Sequence, residues 1–501
     1  MRDLLQYEYS RTLNQIADFL EVSHANENCL IHGLALNSQK IKSGDLFVAL
    51  QGANTHGIAF LNQVGSAGAA AILTDEVGFE IWLADSSQKE QPLPILVTNN
   101  LRGALGPLSS WFYGAPSHNL RLYGVTGTNG KTTVAYLLNH IWQENKRESG
   151  LMGTVEVKVG EESFPSIRTT LEAPDLQALL ATYSERHISN VVMEVSSHSL
   201  ALHRVDGTRF AAVAFTNLSQ DHLDFHGDME NYYRAKRRLF TLSFAESAII
   251  STDTEWGARL YAEASIPAID LSLSNQKAAW HLVDFPTTTQ KGMHFSLRGP
   301  NGILLEVSTP LLGEYNAANA MMAIALAVDS GIDPLSAAAA LANAQGAPGR
   351  LEKVAHPGGV QILIDYAHTP DAVTRVITAV RTHHSGRIIG VLGCGGDRDV
   401  SKRPLMGTAL AQGCDLAIFT SDNPRSENEL SIIRQMGPER FTNVRTEIDR
   451  HNAIELALEL ATPGDLVLIL GKGHEAGQEI RGVLYPFDDR EVTREIIGKL
   501  Q

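Results

Sequence analysis

The segment Gly124-Val-Thr-Gly-Thr-Asn-Gly-Lys-Thr-Thr133 constrains this chain more than any other, because it joins an apolar run, RLYGVTG at 121–127, to an amphipathic stretch, KTTVAYLLNHIWQEN at 131–145. A strand that turns through glycines directly into a helix aims several backbone N–H groups and a helix N-terminus at one point, which suits phosphate oxygens. Lys131 is spaced to reach β- and γ-phosphates, and the Thr132 hydroxyl to coordinate Mg²⁺. The glycines fall at 124, 127 and 130, whereas the strict pattern needs one at Val125, so the loop is a variant. Its candidate nucleotide contacts are Gly127, Thr128, Asn129, Gly130, Lys131, Thr132 and Thr133. The alternative, a glycine-rich turn without a ligand, leaves Lys-Thr-Thr at the helix start without a purpose.

The rest of the pattern is α/β. At 501 residues the chain is long enough for about three domains. Short apolar runs at 44–50, 69–74 and 94–98 separated by Gly-rich turns predict a small α/β unit over 1–99. Strand-like runs at 121–127, 191–195 and 212–216 alternate with helix-length segments, predicting a parallel sheet covered on both faces over 100–345. After GAPGR at 346–350, runs at 361–366, 388–393, 415–420 and 466–470 predict a second doubly wound, Rossmann-like unit over 346–501, with ligands beyond the carboxyl ends of its strands.

A formal charge of −15 without a long basic stretch argues against nucleic acid and anionic membrane as partners. Three cysteines, Cys29, Cys394 and Cys414, without Cys-x-x-Cys spacing fit a reducing compartment, and no signal peptide or run of about 18 apolar residues occurs. The expectation is a cytoplasmic protein.

TGTNGKTT, together with MEVSSHSLALHRV (193–205), FTNLSQDHLDFHG (215–227), YYRAKRRLF (232–240), GEYNAANAMMA (313–323), GRLE (349–352), DYAHTPD (365–371), GCGGDRDVSKRPLM (393–406), SDNPRSE (421–427) and GKGHE (471–475), resembles the Mur ligases in composition and order over nearly the whole chain. Their folylpolyglutamate synthetase relatives share only part of this. The resemblance implies ATP-dependent amide-bond formation in peptidoglycan precursor synthesis, by a monomer acting on small molecules, with two Mg²⁺ ions.

Several residues read differently with and without that resemblance. Glu194 ends the apolar run VVMEV, where a charge is expensive unless paired or bound to a cation. His222 and His226 are four apart, so the residues alone leave open a zinc pair or hydrogen-bonded loop histidines. The resemblance makes Glu194 and His222 magnesium ligands. It also makes Lys236, otherwise a solvated helix lysine, a carbamate derived from CO₂ that holds the second Mg²⁺. Asn316, Arg350 and Asp365 match positions at adenine, phosphates and ribose, and His368 lies close to them in sequence. Leu36, Ser38 and Ala53-Asn54-Thr55 match uridine-binding positions, although Asn37 and Gln39 depart from the common Asp-Ser-Arg and Leu202 from a Gln found in some members. Thr169, Thr170, Ser196 and Arg204 match positions near the diphosphate, sugar and peptide.

Asp422-Asn423-Pro424-Arg425 is a turn by composition, and its planar guanidinium suits bidentate grip of a carboxylate. The resemblance assigns it, with Arg398, Gly471 and Glu475, to meso-2,6-diaminopimelate, Glu475 facing the substrate ammonium. The implied reaction adds that amino acid to the D-Glu γ-carboxylate of UDP-N-acetylmuramoyl-L-Ala-D-Glu through an acyl phosphate, the third unit closing over the second. The alternatives are the same ligase using L-lysine, a folylpolyglutamate-type ligase, and a P-loop nucleotide-hydrolysing switch.

Overall fold

A computed structural model describes residues 2–52, 55–84, 93–289 and 292–499. The first unit is a four-stranded parallel sheet of Gly33–Ala35, Asp45–Ala49, Ala71–Thr74 and Ile95–Val97, in sequence order. Helix Leu13–Leu20 begins at a capping box in which Thr12 and Gln15 satisfy each other's backbone N–H groups. Helix Leu101–Phe112 lies just past the expected boundary at 99, yet Leu101, Leu105, Leu108 and Phe112 pack in one core with Leu13, Ile16, Leu46 and Leu73. The same core takes in Ala173, Ala178 and Ala181, so this helix joins the first unit to the second, and only at Arg121 does the chain enter the next sheet.

Seven strands form the parallel centre of the second sheet, ordered Ser149–Met152, Asn190–Glu194, Arg121–Thr126, Phe210–Phe215, Ala245–Ser251, Ala268–Ser272 and Trp280–Leu282. Antiparallel strands extend both margins, a feature the expected all-parallel pattern lacked. Marginal strand Leu304–Thr309 alternates exposed and buried residues, because only one of its faces is covered. Helices Lys131–Glu144 and Glu314–Asp329 cover one face of the centre and Ala173–Glu185 and Met229–Arg237 the other.

The third unit orders Glu352–Val354, Gln361–Asp365, Leu466–Leu470, Ile388–Cys394, Leu416–Ser421 and Val444–Thr446, parallel except for the first pair. Predicted and observed strands agree within about two residues because buried parallel strands are continuous Val/Ile/Leu runs ended by glycine or polar residues. The sheet's carboxyl ends, with Asp365, Cys394, Ser421 and Leu470 as last residues, face the loops discussed below.

Candidate active site

Gly130 caps the helix Lys131–Glu144 at φ 88° and Gly127 turns at φ 151°. A Cβ would lie 1.9 Å from Thr216 Oγ1 at Gly127 and 2.4 Å from Asn319 Oδ1 at Gly130, so both positions require glycine. The loop is braced by the segment after strand Phe210–Phe215. Asn217 Oδ1 accepts from the Asn129 N–H at 3.0 Å, and the Thr216 hydroxyl donates to Asn129 O at 2.5 Å. Lys131 Nζ donates to the carbonyls of Gly127 and Thr128 at 2.9 and 2.8 Å, and burial lowers its pKa.

The Thr132 hydroxyl donates to Glu194 Oε2 at 2.9 Å. Glu194 also accepts from the Thr154 N–H at 2.8 Å and hydroxyl at 3.0 Å. Thr154 Oγ1 is 3.1 Å from Thr169 Oγ1, and the Thr170 hydroxyl donates to Glu194 O at 2.9 Å while accepting from Ser196 N–H at 3.0 Å. Arg204 pairs with Glu172 at 2.8 Å and donates to Thr170 O at 3.4 Å. Thr169, Thr170, Ser196 and Arg204 thus continue directly from the loop through Glu194.

Lys236 is buried, donating to Gly127 O at 2.9 Å and Thr126 Oγ1 at 3.4 Å, with its Nζ 4.9 Å from the Tyr232 ring. Among the described residues no carboxylate pairs with it. Burial pushes its pKa well below the usual lysine value, Lys131 adds to this, and Asp221 opposes it.

Asp221, which the sequence reading passed over, gathers the surrounding basic side chains: His222 at 3.3 Å, Lys402 at 3.5 Å and His368 at 3.9 Å. Burial alone would raise its carboxyl, but these three hold it well below the ordinary range. His222 takes a left-handed φ of 54° and burial pushes it down to about 3. His226 does not form a pair with it for zinc. Its Nε2 lies 2.9 Å from Ser197 Oγ, and its ring stacks on Tyr232 at 5.0 Å.

Among the described residues no three His, Cys, Asp or Glu side chains are assembled for a metal. The Thr132 hydroxyl and Glu194 carboxylate are hard oxygen donors that fit Mg²⁺. A second ion held by His222 and Lys236 fits once Lys236 carries carbamate oxygens, since Mg²⁺ takes hard oxygen donors and a lysine nitrogen is not one.

A cleft of about 460 Å³ opens between the loop and the third unit, lined by Asn129, Gly130, Asn316, Arg350, Asp365 and His368 among others. Arg350 stacks 4.5 Å over Tyr366 and reaches Thr132 Oγ1 at 3.4 Å. Asp365 accepts the N–H groups of Leu351 and Ala367, each at 2.8 Å, and burial raises its pKa. Asn316 donates to Leu312 O at 2.9 Å and accepts from Asn319 at 3.0 Å. The Asn129 amide reaches Asp371 at 3.3 Å and Gln220 reaches Ser401 at 3.1 Å, so second and third units touch across the cleft.

At the carboxyl ends of the third sheet, Arg425 sits at φ 52° and donates through Nη1 to Gly396 O at 2.7 Å. Asn423 donates to Glu475 Oε2 at 2.8 Å. Glu475 also accepts from buried Lys472 at 3.2 Å and from the Tyr366 hydroxyl at 3.3 Å, two partners the sequence reading did not single out. Gly471 has φ 110° with Asp422 Oδ2 2.8 Å from where a Cβ would stand. Arg398 donates to Asp397 O at 3.0 Å. In the first unit, Leu36 packs against the core and Ser38 opens a short 3₁₀ turn capped by Asn37. Thr55 O accepts from Gly52 N–H at 3.0 Å, while Ala53 and Asn54 lie outside the described residues.

Three family models match the chain: Mur ligase family, catalytic domain over 30–113, Mur ligase middle domain over 125–327, and Mur ligase, glutamate ligase domain over 349–473. A protein of Streptomyces coelicolor named UDP-N-acetylmuramoyl-L-alanyl-D-glutamate--2,6-diaminopimelate ligase is 43% identical over 496 residues, covering 98% of this chain and 97% of its own. The Aquifex aeolicus protein of the same name is 40% identical over 471 residues, 93% of this chain and 94% of its own. A solved structure of a ligase with that name superposes with a TM-score of 0.63 at 31% identity, covering 94% of this chain and 95% of the other.

Proposed function

Because the chain belongs to the Mur ligase family, we propose that it is an ATP-dependent ligase joining meso-2,6-diaminopimelate to the D-Glu γ-carboxylate of UDP-N-acetylmuramoyl-L-Ala-D-Glu. The observation that carries this reading is the unbroken path from Lys131 and Thr132 through Glu194 and Thr154 to Thr169, Thr170 and Arg204, with the third unit's Arg350 reaching the same Thr132. On this reading the nucleotide and the acyl donor lie side by side along that path, with the third unit's Arg350 next to them.

A free carboxylate is a poor electrophile, so the ATP γ-phosphoryl passes to it and phosphate becomes a leaving group; the neutral amine of the amino acid then attacks the acyl carbon and expels phosphate. Lys131 and Arg350 offset the repulsion between ATP and the carboxylate, since such transfers are catalysed chiefly by positioning and electrostatics. Asn316 and Asp365 flank the nucleoside part of the cleft and Gly127–Thr133 the phosphates. Thr132 and Glu194 would hold one Mg²⁺, and His222 with carbamylated Lys236 the other. When bound, these ions supply charge neutralisation at the transferring phosphoryl group. The lowered pKa of buried Lys236 favours this modification, because only an unprotonated amine attacks CO₂. Arg425 and Arg398 would grip the distal carboxylate, and Glu475 the ammonium.

The same reading treats the chain as a cytoplasmic monomer of three units, over 1–99, 100–345 and 346–501. No helix among the described residues is long and apolar enough to cross a membrane. The test is phosphate release with ATP and UDP-N-acetylmuramoyl-L-Ala-D-Glu, comparing meso-diaminopimelate with L-lysine. Turnover that needs an amino acid and is faster with diaminopimelate is expected. Equal or faster turnover with lysine, or ATP hydrolysis without amino acid, overturns the reading.

A further inference from the structure

Arg425 is tied to the antiparallel hairpin Gly477–Ile480 and Val483–Pro486 that follows the last strand of the third sheet. Its backbone N–H donates to Glu479 O at 3.0 Å, and its carbonyl accepts from Arg481 N–H at 2.7 Å. These two bonds fix where residue 479 stands relative to the guanidinium. The Glu479 carboxylate then lies 3.3 Å from Arg425 Nε, while Nη1 is already committed to Gly396 O at 2.7 Å.

A guanidinium offers a carboxylate two parallel N–H pairs, either Nε with one Nη or the two Nη together. Here the carbonyl of Gly396 holds one nitrogen of the second pair, and Glu479 stands at the first. An incoming carboxylate that approaches the Nε–Nη face therefore has to displace Glu479. Gly396 O belongs to the backbone and is fixed. Glu479 is 42% exposed, has a flexible side chain and makes no second ion pair among the described residues, so it is the partner that yields.

We propose that Glu479 is a built-in competitor for Arg425: a carboxylate that occupies the guanidinium until an amino acid bearing its own distal carboxylate replaces it. This rests on the reading of Arg425 as the residue that grips that carboxylate. Glu479 neutralises a cation that would otherwise stand open to any small anion, and it is displaced only by a ligand that offers Arg425 a second carboxylate held in place by the rest of the pocket. An amino acid without a distal carboxylate gains nothing from its removal.

The test is the KM for amino acid in the full-length Glu479→Gln variant, at saturating ATP and UDP-dipeptide, with thermal melting as a check of folding. Loss of an exposed competing ion pair predicts a KM for meso-diaminopimelate about two- to five-fold lower, and no such fall for L-lysine. In an Arg425→Lys background the same substitution should not lower it. An unchanged or raised KM for diaminopimelate, or an equal fall for both amino acids, overturns the proposal. If the unaltered enzyme itself prefers L-lysine, the reading of Arg425 fails first and this inference with it; if it prefers diaminopimelate and Glu479→Gln changes nothing, only the inference fails.

Discussion

Replacing Asp489 by alanine removes one partner of an ion pair in which both side chains have zero exposure. Arg450 donates through Nε and Nη2 to the two Asp489 oxygens at 2.8 and 2.7 Å, and its remaining reach goes to Leu470 O at 2.8 Å and Ser421 O at 3.4 Å. Without Asp489 the guanidinium stays buried with carbonyls as its hydrogen-bond partners and only the more distant carboxylates of Asp422 and Glu475 to offset its charge. Breaking such a pair from one side costs about 3–5 kcal/mol, a large share of the roughly 5–15 kcal/mol that stabilises a domain. For a unit of this size each kcal/mol shifts the midpoint by about 2–4 °C, so the third unit should melt roughly 6–20 °C lower. Calorimetry and guanidinium titration read this directly. The pair also anchors the strand ends that lead into Gly471 and Asp422, so the KM for amino acid should rise with it. The double replacement Arg450→Met with Asp489→Leu should lose less than Asp489→Ala alone, because no unpaired charge remains. A loss below about 1 kcal/mol for Asp489→Ala would refute the reasoning, as it would mean that water or another anion reaches Arg450.

Gly130→Ala should raise the KM for ATP about tenfold, since the left-handed backbone costs an alanine about 1–2 kcal/mol and its Cβ would press on Asn319; nucleotide titration followed by phosphate release measures it, and an unaffected KM would mean that the loop does not cradle phosphate. Burial pushes His226 down to about 4 and His474 to about 3, with His198 and Arg350 respectively as the next contributors. Both bind protons less readily folded than unfolded, so their contribution is complete above the unfolded histidine value of about 6.5 and is lost as pH falls towards about 4. Urea denaturation at pH 7.5 and 5.5 should show lower stability at 5.5, and His226→Gln should reduce that difference.

Much of this molecule is set by local order in the sequence. The continuous apolar runs at 121–127, 361–366 and 466–470 become strands because each is buried on both faces, and the glycines at 127 and 130 specify a turn that no other residue completes. Lys131, Thr132 and Glu194 were legible for the same reason: each sits at the end or start of a strongly patterned element. Other features depend on contacts between residues far apart in the chain, which no window of sequence contains. The helix at 101–112 reads as the start of the second unit, and only the packing shows that it joins Leu13 and Leu46 to Ala173 and Ala178. His222 and His226 have the spacing of a metal pair, but the left-handed turn at His222 and the bond from His226 to Ser197 separate their roles. Asp221 becomes significant only when Lys402 and His368 arrive from the third unit, and Glu479 only when the hairpin brings its carboxylate to Arg425. The sequence by itself determined the elements, the phosphate-type loop and the residue types available for chemistry, because these follow from burial pattern and backbone freedom within a few residues. The tertiary structure decided which charges face one another and hence which amine is buried without a carboxylate and which carboxylate is paired, because burial and Coulomb interactions depend on distance in space.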